Sequence, residues 1–211
     1  MIKISLKGLA KFMTGSPANQ RKVLRNYKHP DPEGQVQRVY YKEARDVVVA
    51  FHKHGHDKRW LLNKAEQLAK QGDLMGGRAG SRFSHNARGL RGYARYFAGR
   101  KLRVLQDLHL RLGFSGVNIT ITPDLYVVER KQEKVIKFEF SKAEPEPTLV
   151  RIINQAMFEA AIASGLKVTS AGVLLFDIPR GNVHKGARMG SRMRGEIEAA
   201  CRNIATLWPG I

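Results

Sequence analysis

The chain has one cysteine, half as many acidic as basic residues, and no long apolar run. Cys201 is the only cysteine among 211 residues, which excludes an intramolecular disulfide and any cysteine-rich zinc or iron–sulfur site. No apolar stretch reaches the roughly 18 residues of a membrane-spanning helix, and the N-terminus lacks the apolar segment of a secretory signal. These absences predict a cytoplasmic protein that is not exported and has no membrane partner.

Positive charge dominates what is present. The chain carries 37 Lys and Arg against 18 Asp and Glu, a formal net charge of +19, with a pI near 10.4. Residues 1–100 carry 21 of the basic and 7 of the acidic residues. Such a chain attracts polyanions, of which nucleic acid is the most common, although a ribosomal or membrane-surface protein would be as basic. A hydrophobic content of 43% also predicts a packed core.

Residues 81–98 predict an amphipathic helix with a basic face. Arg88, Arg91 and Arg95 fall at helical spacing, and the stretch 78–103 holds eight basic residues and no acidic one. A solvated helix face usually mixes both signs, so this pattern favours phosphate contacts over a solvated face or pairing with distant acids. The basic loop 179–192 is a second candidate. The predicted nucleic-acid-binding residues are Arg82, Arg88, Arg91, Arg95, Arg100, Arg180, Lys185, Arg188 and Arg192.

Other patterns predict the elements around this helix. The glycine-rich stretch 72–80 predicts a flexible hinge or a loop that approaches a backbone closely, and 101–112 alternates as a strand. The remaining predicted elements are a helix over 35–54, a helix over 148–164, a strand buried on both faces over 171–178 and a helix over 193–207 with Cys201 inside.

Residues 116–142 predict a hairpin that carries acidic groups. Its first strand alternates over 117–122 and continues over 125–129, and its second covers 135–140 after a polar connection. If the aromatic side of the second strand is core, Glu139 lies on the opposite face beside Lys137. The hairpin brings Asp124 close to Glu139. Two converging carboxylates repel unless a cation lies between them, which suits Mg²⁺.

These residues resemble the motif of the PD-(D/E)xK nuclease superfamily, which has the restriction-endonuclease-like fold. Pro123-Asp124, Glu139 on the next strand and Gln155 on the following helix carry the resemblance, which covers roughly residues 82–208. It implies an αβββαβ core, Asp124 and Glu139 as ligands of Mg²⁺ or Mn²⁺, a catalytic lysine and, as in RecB-like members, a supporting Gln155. The family's lysine position is Ser141 here, so Lys137 or Lys142 would have to substitute.

The sequence thus predicts an α/β protein with a basic helical N-terminal domain over 1–75 and a restriction-endonuclease-like domain over 76–211. A metal-dependent nuclease is favoured, with a catalytically inactive nucleic-acid-binding subunit of a mobile-element or phage-defence (antiviral) complex as the alternative. An RNA-associated or ribosomal protein is a third option. DNA is favoured over RNA, and a helicase or ATPase is a candidate partner. A purely structural alternative has Asp124 end a bent strand and Glu139 pair with Lys137 or Arg151.

Overall fold

The structure is a computed structural model that describes residues 1–30, 40–187 and 191–211. The helices in these ranges are α1 (Leu6–Thr14), α2 (Pro17–Lys28), α3 (Lys42–His54), α4 (Lys58–Met75), α5 (Gly77–Tyr96), α6 (Pro147–Ala163) and α7 (Ser191–Leu207), with short 3-10 turns at Ser170–Gly172 and Trp208–Gly210. The strands are β1 (Ile2–Ser5), β2 (Arg103–Val104), β3 (Leu110–Phe114), β4 (Val117–Ile121), β5 (Leu125–Glu129), β6 (Gln132–Glu139), β7 (Val173–Asp177) and β8 (Asn182–Lys185).

The strands form two mixed sheets. The smaller sheet has the order β1-β4-β3, in which β1 is parallel and β3 antiparallel to β4. The larger sheet has the order β2-β5-β6-β7-β8, in which only the pair β6–β7 is parallel. The fold is therefore mixed α/β, as the sequence predicted at that level.

Two hydrophobic cores lie on the two faces of the larger sheet. Val135 of β6 packs into a core with α1, α6 and α7, whereas Ile136 and Phe138 pack into a core with α3, α4 and α5. The predicted alternation of β6 is thus confirmed. Leu9 belongs to the first core and Leu61 to the second, so the predicted domain boundary at residue 75 runs through both cores.

Two stretches predicted as continuous strands are divided between the sheets. The stretch 101–112 gives β2 in the larger sheet and the start of β3 in the smaller one. The stretch 117–129 gives β4 and β5, which also belong to different sheets, and the chain crosses at Pro123-Asp124. Proline has no N–H for a ladder, which suits the break. Alternation identifies the buried face of a strand but not the sheet to which it belongs.

The predicted hinge over 72–80 is instead a tight junction between two helices. Only Gly76 separates α4 from α5, with φ of +61°, and its N–H bonds the carbonyl of Gly72. A Cβ on Gly80 would lie 2.4 Å from that same carbonyl oxygen. These glycines therefore allow two helix backbones to touch, so the predicted close approach to a backbone is confirmed and the flexible hinge is not.

Most other predicted elements are confirmed. The helices over 81–98, 148–164 and 193–207 correspond to α5, α6 and α7, and the strand over 171–178 corresponds to β7. Cys201 is buried in the first core. The predicted loop 179–192 contains the strand β8, and its residues 188–190 lie outside the described ranges. The predicted helix from residue 35 begins at Lys42 in the described chain, and residues 31–39 are likewise outside it.

The α4–α5 junction gives a first prediction. Gly80→Ala should lower the free energy of unfolding by about 1–3 kcal/mol, because the new methyl group meets backbone that cannot move aside. Gly195→Ala in α7 is the matched control, since its Cβ would have no heavy atom within 4 Å, and it should stabilise by about 0.5–1 kcal/mol. Urea unfolding measures both variants. Equal effects would contradict the close backbone contact.

Candidate functional site

Asp124 lies between β4 and β5, where two cations and a backbone amide surround its carboxylate. Its Oδ1 is 2.9 Å from Nε of Arg45 on α3, and its Oδ2 is 3.0 Å from Nζ of Lys137. Oδ2 also accepts a hydrogen bond of 2.7 Å from the N–H of Phe138. The side chain is only 5% exposed. Both carboxylate oxygens therefore already have partners.

Glu139 ends β6 in a similar environment. Lys7 of α1 donates to its Oε2 at 3.0 Å, and the N–H of Ser141 donates to its Oε1 at 2.9 Å. Burial alone would raise the pKa of Glu139, but the Lys7 ammonium and the N–H groups of Ser141 and Phe140 outweigh burial and hold that pKa below its usual value. Glu139 is therefore a buried carboxylate that Lys7 keeps ionised.

A third carboxylate, Asp177, lies beside Glu139 and was not among the predicted site residues. The two are register partners in the parallel pair β6–β7, and Asp177 is fully buried. Nη1 of Arg180 lies 3.1 Å from both carboxylate oxygens of Asp177, and Nη2 donates to the carbonyl of Lys142. The sequence did contain a pattern that could have identified Asp177 as a site residue, because it is the single acidic residue at the end of an otherwise apolar strand.

The three other predicted catalytic residues differ in where they lie. Lys137 contacts Asp124 and also donates to the carbonyl of Thr122 at 2.8 Å. Lys142 is exposed, and its positive charge acts on His85. The Gln155 amide donates to Glu159 at 2.8 Å. Among the described residues, only Lys137 of the three contacts either predicted metal ligand.

Two of the cations that pair with Glu139 and Asp124 were not predicted from the sequence. Lys7 is 132 positions from Glu139, and Arg45 comes from a helix in the other core. Neither of the predicted structural pairings of Glu139, with Lys137 or with Arg151, occurs in the described residues. No local spacing could have identified Lys7 or Arg45, because their positions depend on how whole helices pack on the sheet.

The charge balance of these strand ends bears on the predicted metal site. The carboxylates of Asp124, Glu139 and Asp177 face four cations, from Lys7, Arg45, Lys137 and Arg180. Mg²⁺ needs oxygen ligands with free lone pairs, and here every oxygen of the two predicted ligands has a partner. Across residues 1–30, 40–187 and 191–211, no group of three or more His, Cys, Asp or Glu side chains could hold a metal ion. A metal ion could therefore bind these two carboxylates only after their cations had moved away, and the predicted Mg²⁺ or Mn²⁺ site stays a prediction.

The predicted basic face of α5 has three arginines without acidic partners. Arg88, Arg91 and Arg95 are exposed, and no carboxylate of the described chain lies within ion-pair distance of them. Two glycines next to these arginines on α5 pack closely against the residues that follow β6 and β7. A Cβ on Gly89 would lie 2.9 Å from the Phe140 ring, and one on Gly92 would lie 3.0 Å from the carbonyl of Ile178. This packing holds the arginine face (Arg88, Arg91 and Arg95) beside the ends of β6 and β7.

The electrostatics of two neighbouring side chains connect the arginine face to the carboxylates. The pKa of His85 is lowered by partial burial and by the positive charges of Arg88 and Lys142. The pKa of Tyr41 is raised by burial, by Tyr40 and by Glu139, and Arg88 opposes this rise. Arg88 and Glu139 therefore both lie close enough to Tyr41 to act on its pKa.

The other predicted nucleic-acid contacts are mostly neutralised. Four of them pair with carboxylates: Arg82 with Glu43, Arg100 with Glu129, Arg180 with Asp177 and Arg192 with Glu196. Lys185 is exposed, and Arg188 lies outside the described residues. Of the nine predicted contacts, the described ones without an acidic partner are therefore the three residues of the arginine face and Lys185.

Comparisons with known proteins give no relative. No protein-family model matches the chain, and no curated protein matches it significantly. Of the helices that the structure describes, none has both the length and the apolar content needed to cross a membrane. The resemblance to the PD-(D/E)xK superfamily stays a prediction that rests on the residues quoted above.

The Lys7–Glu139 pair gives a second prediction. Lys7→Met should lower the free energy of unfolding at neutral pH by about 1 kcal/mol. The effect is no larger because Lys7 is half exposed and water screens its ion pair with Glu139. The folded pKa of Glu139 is depressed, so the stabilisation is present above its unfolded pKa of about 4.3 and is lost as pH falls through the folded pKa. Urea unfolding between neutral and acidic pH should show the two proteins converging.

Two further variants complete this experiment. Lys11→Met, on the exposed side of the same helix, should change stability little at any pH. In a Glu139→Gln background, Lys7→Met should lose most of its effect because the charge that it neutralises is absent. A loss that is independent of pH would contradict the ion pair as its cause.

Proposed function

We propose that this chain binds the phosphate backbone of nucleic acid through the arginine face of α5. The observation that carries the proposal is that Arg88, Arg91 and Arg95 are exposed on one helix face without acidic partners in the described residues. They span about 10 Å along the helix axis, which corresponds to about three base-pair steps. Guanidinium groups in such a row suit successive phosphate oxygens because each can donate two parallel hydrogen bonds.

The surroundings of the arginine face support a polyanion as its ligand. The stretch 78–103 contributes no carboxylate, and Lys142 adds a positive charge near His85. The paired cations at the strand ends leave no net negative charge to repel phosphate, since four cations face three carboxylates there. Nucleic acid matches this surface better than a small anion because the exposed arginines form a row along the helix.

A third prediction tests the arginine face directly. The triple variant Arg88→Gln, Arg91→Gln, Arg95→Gln should weaken binding to duplex DNA at least about 10-fold and lower the salt slope by about three. Fluorescence anisotropy with a labelled duplex, at several salt concentrations, measures both quantities. The same titrations with single-stranded DNA and RNA identify the preferred substrate.

The control for this prediction removes the same charge elsewhere. Arg21→Gln, Lys22→Gln, Arg25→Gln alters three basic residues that are exposed on α2. It should weaken binding much less, because its effect is confined to the long-range field of the protein. Equal losses in the two triple variants would contradict a local phosphate site and leave only non-specific attraction.

A second candidate function is metal-dependent hydrolysis of the bound phosphodiester. The observation that favours it is the closeness of Asp124 and Glu139, because the Phe138 N–H that holds Asp124 belongs to the residue directly before Glu139. Their present partners oppose this function, since Lys7 and Lys137 would have to leave the carboxylates before any metal ion could bind them.

A fourth prediction separates the two candidates. Wild type, Asp124→Asn and Glu139→Gln are incubated with labelled DNA and RNA in Mg²⁺, Mn²⁺ or EDTA, with binding measured in parallel. The second candidate predicts metal-dependent cleavage by the wild type that both variants lose while they keep binding. Salt-sensitive binding without cleavage under any metal would contradict it and leave the proposed binding function intact. The isosteric amides limit the loss of stability that removal of these shielded side chains would cause.

A further inference from the structure

The junction of α4 and α5 presents two adjacent large apolar side chains to solvent. Leu74 is 88% exposed and Met75 is 55% exposed at the last turn of α4. A single exposed leucine is ordinary, but two consecutive apolar side chains at the end of a helical hairpin form a small continuous patch. We call Leu74 and Met75 the apolar tip.

Backbone contacts hold the apolar tip in place. The N–H of Gly76 bonds the Gly72 carbonyl at 3.1 Å, and the N–H of Gly80 bonds the Gly76 carbonyl at 2.7 Å. Gly72 and Gly80 are in close backbone contact where the two helices meet. A ligand that contacts the tip therefore does not have to order a flexible loop first, which removes one cost of binding.

An open groove of about 350 Å³ is lined by Asp73 and Gly76, which flank the apolar tip, and by Arg88 of the arginine face. Ser81, Ser84 and His85 also line it, and Gly76 and Gly77 leave open space in which a ligand can approach the helix backbone. Phosphate therefore suits the Arg88 end, whereas the end at Asp73 suits bases, whose amino groups can donate to a carboxylate.

The spacing of these features fits one nucleic-acid ligand. From Gly77 to Arg88, α5 rises about 17 Å, which corresponds to about five base-pair steps. The apolar tip and the arginine face are thus close enough to contact the same short stretch of nucleic acid. The positive charge of α5 also favours this ligand over an apolar protein surface.

Building on the proposed nucleic-acid binding, we propose that the apolar tip inserts between two neighbouring bases of a duplex whose phosphates the arginine face holds. Leucine and methionine are among the side chains that serve as such wedges between base steps. Insertion unstacks the bases, and unstacking costs least where pairing is already interrupted. The preferred ligand is therefore a duplex with a mismatch or a nick.

The experiment compares two labelled duplexes of about 20 base pairs, one intact and one with a central mismatch. Wild type should bind the mismatched duplex about 10-fold more tightly. The double variant Leu74→Gln, Met75→Gln should bind both duplexes equally while its salt slope stays that of the wild type. A 2-aminopurine beside the mismatch should become brighter with wild type and not with the double variant, since only an inserted side chain unstacks it.

The control variant is Ile162→Gln, because Ile162 is an exposed apolar side chain, 48% exposed, on α6. It should keep the preference for the mismatched duplex, and thermal unfolding should be unchanged in both variants. Two results would overturn the insertion of the apolar tip but not the proposed nucleic-acid binding. One is salt-sensitive binding by the wild type with equal affinity for the two duplexes, and the other is a preference for the mismatched duplex that survives in the double variant. Failure to bind either duplex would overturn the wedge, and failure to bind single-stranded DNA and RNA as well would overturn the proposed function. Binding to anionic vesicles that depends on the apolar tip would identify a lipid surface as the occupant and overturn the wedge.

Discussion

The arrangement of this fold depends on neutralising three shielded carboxylates at one end of the large sheet. Asp124, Glu139 and Asp177 would each destabilise the folded state by several kcal/mol if left unpaired away from water. Their cations come from four parts of the chain. Helix α1 supplies Lys7, α3 supplies Arg45, β6 supplies Lys137 and the turn after β7 supplies Arg180. The two helices lie on opposite faces of the sheet, so these ion pairs fix both layers against the same strand ends.

Unlike α1 and α3, helix α5 supplies no cation to these three carboxylates. Its inner face has Gly89 and Gly92 where it meets the sheet, so the helix axis lies close to β6 and to the end of β7. Its outer arginines consequently lie near strand ends where the charge is already balanced. The arginine face therefore adds positive charge that no described ion pair offsets.

The sequence predicted those features whose signal is local. The alternation of β6 identified the face that carries Glu139, and the spacing of Arg88, Arg91 and Arg95 identified an outer face of α5. The pairing of Glu139 with Lys7 left no local signal, since it depends on how α1 packs against the sheet. The glycines of the stretch 72–80 did not identify their structure for another reason. Glycine permits both a flexible loop and a close contact between helices, and only the packing of the helices distinguishes the two.

The two candidate functions differ in what happens to Lys7. Its side chain is 55% exposed, whereas those of Arg45, Lys137 and Arg180 are 24–30% exposed. Lys7 is therefore more accessible to a phosphate in solution than the other three cations. If the phosphate takes Lys7, Glu139 loses its strongest partner and becomes a carboxylate in need of another cation. If Lys7 stays on Glu139, the carboxylates only stabilise the fold, and the protein binds nucleic acid without hydrolysing it. The strength of this one ion pair against a phosphate thus separates a binding protein from an enzyme.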